Sequence, residues 1–231
     1  RSLGTNSGIF GEECFVLSGY KHGYAFGHRD TVKGDYAVAI GHNAYSEGTG
    51  AVAIGFNVRT NNPYSVAIGN NADAIADRSV AIGSFVSTNL KNGSFIFGDG
   101  STTTTMFSPA QHTMTMRFNN GYRLYSKSDL TTGVYMLNGG TSWTSVSDRN
   151  MKENFEDING EDLLDKIEDL PITKWNYKGN PDSVKFIGPM AQDFHKSFGL
   201  GGSDSLGIST LAFDGVNIAA VQALIVRTNK I

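Results

Sequence analysis

The sequence predicts a mainly β, solenoid-like N-terminal part followed by a small α+β module that ends in a helix. Three observations predict it. A short apolar motif returns every 14 residues through the first hundred positions. Glycine is abundant, 28 of 231 residues, while proline is scarce at 5, which argues for many tight turns between short strands rather than for disorder. After residue 147 the pattern changes to helical periodicity.

The repeats come first in the chain and carry most of the information. Residues 36–41 (YAVAIG), 50–55 (GAVAIG), 64–69 (YSVAIG) and 78–83 (RSVAIG) share one core, and residues 23–27 (GYAFG) and 94–98 (SFIFG) are looser copies. The closing glycines fall at 27, 41, 55, 69, 83 and 98. Within each copy Val and Ile lie two apart and share a face, while the Ala between them points the other way. A strand apolar on both faces is covered on both sides. One period is too short for a strand–helix–strand unit and long enough for two short strands and two turns, one coil of a solenoid. The Val/Ile face is expected to fill the coil interior, and the small Ala face to admit a close neighbour, most economically an identical chain. The closing glycine supplies a turn conformation closed to other residues.

Two ladders follow if the coils stack in register. Asn43, Asn57 and Asn71 stand two positions after a glycine and are expected to hydrogen-bond along the stack. His28, His42 and Phe56 stand one position after it. Stacked histidines suit a metal ion or a pH response. They are equally explained as solvated turn residues, since no third ligand is evident.

This segment resembles the head of YadA-like trimeric autotransporter adhesins on its SVAIG-type core and its period, over about residues 20–100. The resemblance implies a left-handed parallel β-roll and a homotrimer. The hexapeptide acyltransferase helix, the other repetitive β-solenoid considered, has a period of six and is set aside.

Composition bounds the partners. Net charge is −3 and no run of Lys or Arg appears, so neither a nucleic acid nor an anionic membrane is called for. The one cysteine, Cys14, is expected to be a small buried hydrophobe, or else a contact near a threefold axis. No stretch is expected to span a membrane. The chain starts at Arg1 rather than Met and is expected to be a fragment.

Residues 1–100 are taken as the repeat head and residues 101–146 as a β-rich connector. The connector opens on a polar link, residues 101–106 (STTTTM). Residues 114–118 and 122–125 then read as two strands joined by the Asn119-Asn120-Gly121 turn in a hairpin. Residues 133–137 read as a further strand, and Trp143 as a packing anchor.

Residues 147–231 form the C-terminal module. Leu163, Leu164, Ile167 and Leu170 share one helical face, Asn159 is the expected N-cap, Glu161 and Asp162 are acids at the helix start, and Pro171 stops it. Residues 172–177 and 184–187 read as strands, and residues 188–194 open a second helix. Asp214 is expected to cap a last helix from Gly215 onward, continuing toward a coiled coil.

The pair of motifs 147–152 (SDRNMK) and 188–193 (GPMAQD), with 214–216 (DGV) near the last helix, resembles the intramolecular chaperone domain of endosialidases and phage tail spikes, the S74 peptidase family. The resemblance implies that three copies assemble, guide the folding of the fibre before them and are then released. It makes Ser147 the nucleophile, Lys152 its base and Val146–Ser147 the bond that is cut. Asp148, Arg149, Gly188 and Gln192 are supporting candidates, with Gln192 the favoured oxyanion donor. An alcohol needs a base to attack a carbonyl, and a lysine serves only when burial or a nearby positive charge favours its neutral form. Arg149 is a candidate for that charge.

From the residues alone, Ser147 and Asp148 are also explained as helix caps with Lys152 on a solvated face. The functions that remain are a self-cleaving trimeric fibre or adhesin head, on a virion tail or a cell surface, and a permanent fibre whose tail is a trimerisation clamp. A carbohydrate-active spike ranks last, because no pair of carboxylates stands in a suitable context. The expected partners are two further copies of the chain and a host-surface glycan or protein receptor. No cofactor is implied.

Overall fold

The computed structural model describes residues 3–230 and divides into two compact units, residues up to 126 with 133–144, and residues 127–132 with 145 onward. In the first unit each coil pairs a longer strand with a two-residue strand. The elements are β1 (Gly8–Glu12), β2 (Phe15–Val16), β3 (Tyr24–His28), β4 (Thr31–Val32), β5 (Val38–His42), β6 (Tyr45–Ser46), β7 (Val52–Phe56) and β8 (Arg59–Thr60). Strands β9 (Val66–Ala74) and β10 (Val80–Ser87) run through both walls, and β11 (Phe95–Gly98), β12 (Met106–Phe107) and β13 (Met114–Arg117) follow. All of these pairings are parallel and in register, so Ala25, Ala39, Ala53, Ala67 and Ala81 stack rung on rung. The result is the parallel β-solenoid that the 14-residue repeat predicts.

The two faces are the reverse of the expectation. Those five alanines are fully buried inside the coil. They face small or β-branched residues of the opposite wall, Val16, Val32, Ser46, Thr60 and Ala74, which are fully buried too. The Val/Ile side points outward and stays partly exposed, with Ile68 at 36% and Phe10 at 77%. The reason is the width of the coil. Turns this short hold the two walls so close that Ala, Ser, Thr and Val fill the gap, and a row of isoleucines would overfill it. The outward column therefore runs Phe10, Phe26, Ile40, Ile54, Ile68 and Ile82 in unbroken register.

Backbone geometry explains the closing glycine. Gly55 has φ +134°, and a Cβ there would sit 1.9 Å from the carbonyl oxygen of Gly69 on the next rung. No side chain fits that approach. The asparagines two residues on take left-handed φ values of 56° at Asn43, 51° at Asn57 and 53° at Asn71, a region Asn tolerates. Their ladder is shorter than expected. Asn43 Nδ2 donates to Asn57 Oδ1 at 2.8 Å, but Asn71 Nδ2 turns to Asn70 Oδ1 at 2.8 Å. Corner serines close the turns from within: Ser65 and Ser79 hydroxyls donate to the carbonyls of Asn62 and Ala76 at 2.6 and 2.7 Å.

Inside the coil, Asp30 is fully buried. Its carboxylate accepts the backbone N–H of Gly41 at 2.9 Å and of Ala44 at 2.8 Å. Burial pushes this carboxyl above its ordinary value, against the pull of those two N–H groups. Cys14 lies in the same buried core.

The hairpin expected at Asn119–Gly121 is not formed. Strand β13 pairs parallel with β11, placing Met114 on Phe95 and Met116 on Phe97 and prolonging the solenoid to Arg117. Asp99 holds the following turn by accepting the Asn119 N–H at 2.7 Å. β14 (Tyr122–Tyr125) pairs instead with β15 (Gly133–Met136) in antiparallel fashion, followed by the short β16 (Thr144–Ser145). The apolar column recruits β13 more strongly than a local turn can. Trp143 meets Tyr122 edge-on at 6.4 Å, a packing role as expected.

The second unit holds α1 (Gly160–Glu168), β17 (Thr173–Trp175), β18 (Phe186–Gly188), α2 (Ala191–Phe198) and α3 (Thr210–Thr228). Helix α1 is built as its sequence predicts. Asn159 caps it by accepting from the N–H groups of Glu161 and Asp162, and Leu163 and Leu170 are buried with Phe194 and Val216. Gly160 permits close packing on α3, since a Cβ there would lie 2.8 Å from that of Ala223. Arg227 of α3 ion-pairs with Glu161, whose carboxyl is held below its ordinary value by that hydrogen bond. Strands β17 and β18 pair antiparallel, placing Trp175 opposite Phe186.

Helix α3 starts five residues before Gly215. Asp214 lies exposed within it instead of capping it, because Ala212 and Phe213 pack against the core and draw the preceding turn into the helix. At 19 residues and mean hydropathy 1.3, α3 is by length and composition alone long and apolar enough to cross a membrane.

The orientation of the coil faces is checked by two substitutions. Ala53→Leu, inside the coil, is expected to cost about 1–3 kcal/mol or to prevent folding. Ile54→Ala, on the outward column, is expected to leave the circular-dichroism spectrum of the coil unchanged. Urea melts of both variants decide between the two orientations.

Candidate functional site

The candidate site is built on one local turn. Chain leaving β16 runs extended and then makes a single 3-10 turn, Arg149–Met151. Asp148 sets that turn by accepting the Asn150 N–H at 2.9 Å and the Asn150 side-chain amide at 3.1 Å. The Lys152 N–H closes it by donating to the Arg149 carbonyl at 3.1 Å. The turn folds the chain back over five residues, and Lys152 Nζ reaches Ser147 Oγ at 2.6 Å. The two residues singled out as nucleophile and base are in direct contact.

Both are exposed in the single chain. As drawn, the amine donates and the hydroxyl accepts. Base catalysis needs the reverse, with a neutral amine accepting the hydroxyl proton. Removal from water favours the neutral amine.

The supporting candidates lie in two places. Asp148 shapes the turn, as described. Arg149 stands over the Phe155 ring with its guanidinium carbon 5.0 Å from the centroid, a cation–π contact. Val146 is half-buried. Gly188 ends β18 opposite Thr173, and Gln192 lies exposed in the first turn of α2. Among the described residues, no hydrogen bond joins Ser147 or Lys152 to Gly188 or Gln192.

Gln192 instead lines a cavity of ≈ 580 Å³ together with Trp175, Tyr177, Met190 and Leu206. Trp175 and Phe186 stack at 5.1 Å, and Tyr177 meets Trp175 edge-on at 5.0 Å. The Trp175 indole N–H is buried without a hydrogen-bond partner among the described residues. Sequence reasoning missed this cluster. Its signal was the Trp–x–Tyr alternation at 175 and 177, which puts both rings on one side of a strand. No group of three His, Cys, Asp or Glu side chains among the described residues is placed to hold a metal ion.

Comparison with known proteins agrees with this architecture. Residues 147–199 match the family described as chaperone of endosialidase, Peptidase S74. Residues 33–57 and 61–85 match two copies of the YadA head domain repeat. Along the chain, the match to YadA head repeats thus precedes the match to the endosialidase chaperone family, and the Ser147–Lys152 contact falls at the first residues of the latter. No curated protein and no solved structure matches the chain.

An unpartnered buried N–H costs about 1–3 kcal/mol. Trp175→Phe is therefore expected to hold or raise the melting temperature, whereas Trp175→Ala is expected to lower stability by at least about 2 kcal/mol through loss of the aromatic cluster. Thermal melts of the two variants beside the parent chain check the assignment.

Proposed function

We propose that the chain is a homotrimeric fibre or adhesin head whose C-terminal segment drives assembly and is then released by self-cleavage at Ser147. The observation that carries the cleavage is the 2.6 Å contact between Lys152 Nζ and Ser147 Oγ, at the start of the chaperone match. YadA head and endosialidase-type domains belong to extracellular or surface-exposed fibres, so the chain is assigned to such a fibre. The fibre is proposed to stand on a virion tail or a cell surface.

Two apolar surfaces support the trimer. The outward column of the solenoid offers Phe10, Phe26, Ile40, Ile54 and Ile68, and covering what remains exposed of each is favourable in proportion to its apolar area. On α3, Leu211, Ile218, Val221 and Ile225 are all more than half exposed and follow a heptad seam, whose two other positions hold Asp214 and Thr228. β-branched residues at both seam positions favour more than two strands.

The proposed chemistry uses groups of this chain alone. Lys152, once neutral, takes the Ser147 hydroxyl proton. Ser147 Oγ attacks the Val146 carbonyl carbon, the Val146–Ser147 C–N bond breaks, and the proton passes to the leaving amine. The resulting ester is hydrolysed by water, giving a Val146 carboxylate and a free Ser147 N-terminus. The oxyanion formed on attack needs donors, and Gln192 is the proposed one. Because Ser147 and Lys152 are exposed and unlinked to Gln192 in one copy, assembly supplies the burial and the donor, and cutting reports a completed trimer. The head then presents its outer surface to a glycan or protein receptor on a host.

Intact mass of the chain tagged at both ends, beside Ser147→Ala and Lys152→Ala, tests the cleavage. The expected result is two fragments meeting at Val146–Ser147 for the parent chain and one species for each variant. An uncut parent chain overturns the peptidase assignment and leaves the tail as a permanent trimerisation clamp.

A further inference from the structure

We propose that His28 and His42 form a two-imidazole site for a divalent transition-metal ion, copper(II) or nickel(II), that ties adjacent coils of the solenoid together. The two residues are paired across β3 and β5, and their Nδ1 atoms lie 3.0 Å apart. The ring centroids are 4.9 Å apart and the planes are tilted by 36°, so the rings close toward each other on the Nδ1 side.

The separation selects the geometry. Metal–imidazole bonds are about 2.0–2.1 Å, so two such nitrogens on one ion stand about 2.9 Å apart at a right angle and about 3.3 Å apart at the tetrahedral angle. The observed spacing fits neighbouring positions of a tetragonal ion, the preference of copper(II) and nickel(II) with nitrogen and oxygen ligands. The remaining positions are left to water. This is an open site with two protein ligands.

The surroundings hold both rings in place. Glu13 Oε2 lies 3.8 Å from His28 Nε2, the ring nitrogen away from the pair, and Arg29 fixes that carboxylate at 2.6 Å. At that distance the carboxylate makes no hydrogen bond to the ring, and it places negative charge beside a bound cation. Phe56 stacks on His42 at 4.9 Å and 9°. The His28 side chain is 36% exposed, which leaves a path for the ion.

Copper(II) and nickel(II) chlorides added to the intact chain test the site. Expected are a rise in melting temperature with either ion, one copper(II) bound per chain, and an electron paramagnetic resonance spectrum with two equatorial nitrogens. His28→Gln and His42→Gln should each lose the thermal shift and the two-nitrogen signature while keeping the β-type circular-dichroism spectrum. His112→Gln should keep both properties. No thermal shift at millimolar metal, or an unchanged copper spectrum in the His28 and His42 variants, overturns the proposal. If either of those two variants fails to fold, the nitrogen count on the parent chain decides alone, and a spectrum with fewer than two nitrogens overturns it.

Discussion

The narrow gap between the two walls of each coil governs the rest of the molecule. A coil of two short strands and two tight turns favours Ala, Ser, Thr and Val inside, and Ile96 is the one isoleucine among its fully buried residues. Ala39, Ala53 and Ala67 occupy that space, and the larger partners on the same strands are driven outward. A soluble monomer seldom leaves such a continuous apolar column uncovered. Exporting the bulky residues thus leaves an apolar column that the proposed trimer would cover, and the tail is the proposed means of collecting the copies.

The tail shows the same logic on a smaller scale. Helix α3 spends one side on α1, where Gly160 and Ala223 allow close approach, and leaves Leu211, Ile218, Val221 and Ile225 outward. Ser147 and Lys152 are brought together by a purely local turn, so their pairing needs no partner. Burial and oxyanion donors are long-range features, and a single copy does not provide them at Ser147. Under the proposed function, a Ser147–Lys152 contact that forms locally and is completed only on assembly suits a reaction that runs once per chain.

Much of this was legible in the sequence, for identifiable reasons. Local features were read well: the repeat period, the closing glycines and the Asn159 cap. Features set by competition between distant groups were not. Alternation shows that Val and Ile share a face, but not which face is inside, because that depends on the wall spacing. The Asn119-Asn120-Gly121 turn carries a hairpin signal, yet β13 is claimed by the apolar column through Met114 and Met116. Asp214 resembles a cap, yet Phe213 and Ala212 extend the helix past it toward the N-terminus. The buried carboxylate of Asp30 left no periodic trace, and the Trp–x–Tyr alternation at 175 and 177 did not show that the indole would be buried.

Sedimentation equilibrium tests the central claim, that the outward column of the solenoid holds the copies together. The Ser147→Ala chain keeps the tail attached and serves as the reference. Its assembly should be trimeric, and adding Ile40→Asp, Ile54→Asp and Ile68→Asp should open the head while the coils keep their β-type circular dichroism. Retention of α3 in those variants leaves the tail able to associate, so the frictional ratio is read beside the mass. A compact trimer that tolerates all three aspartates would contradict the account.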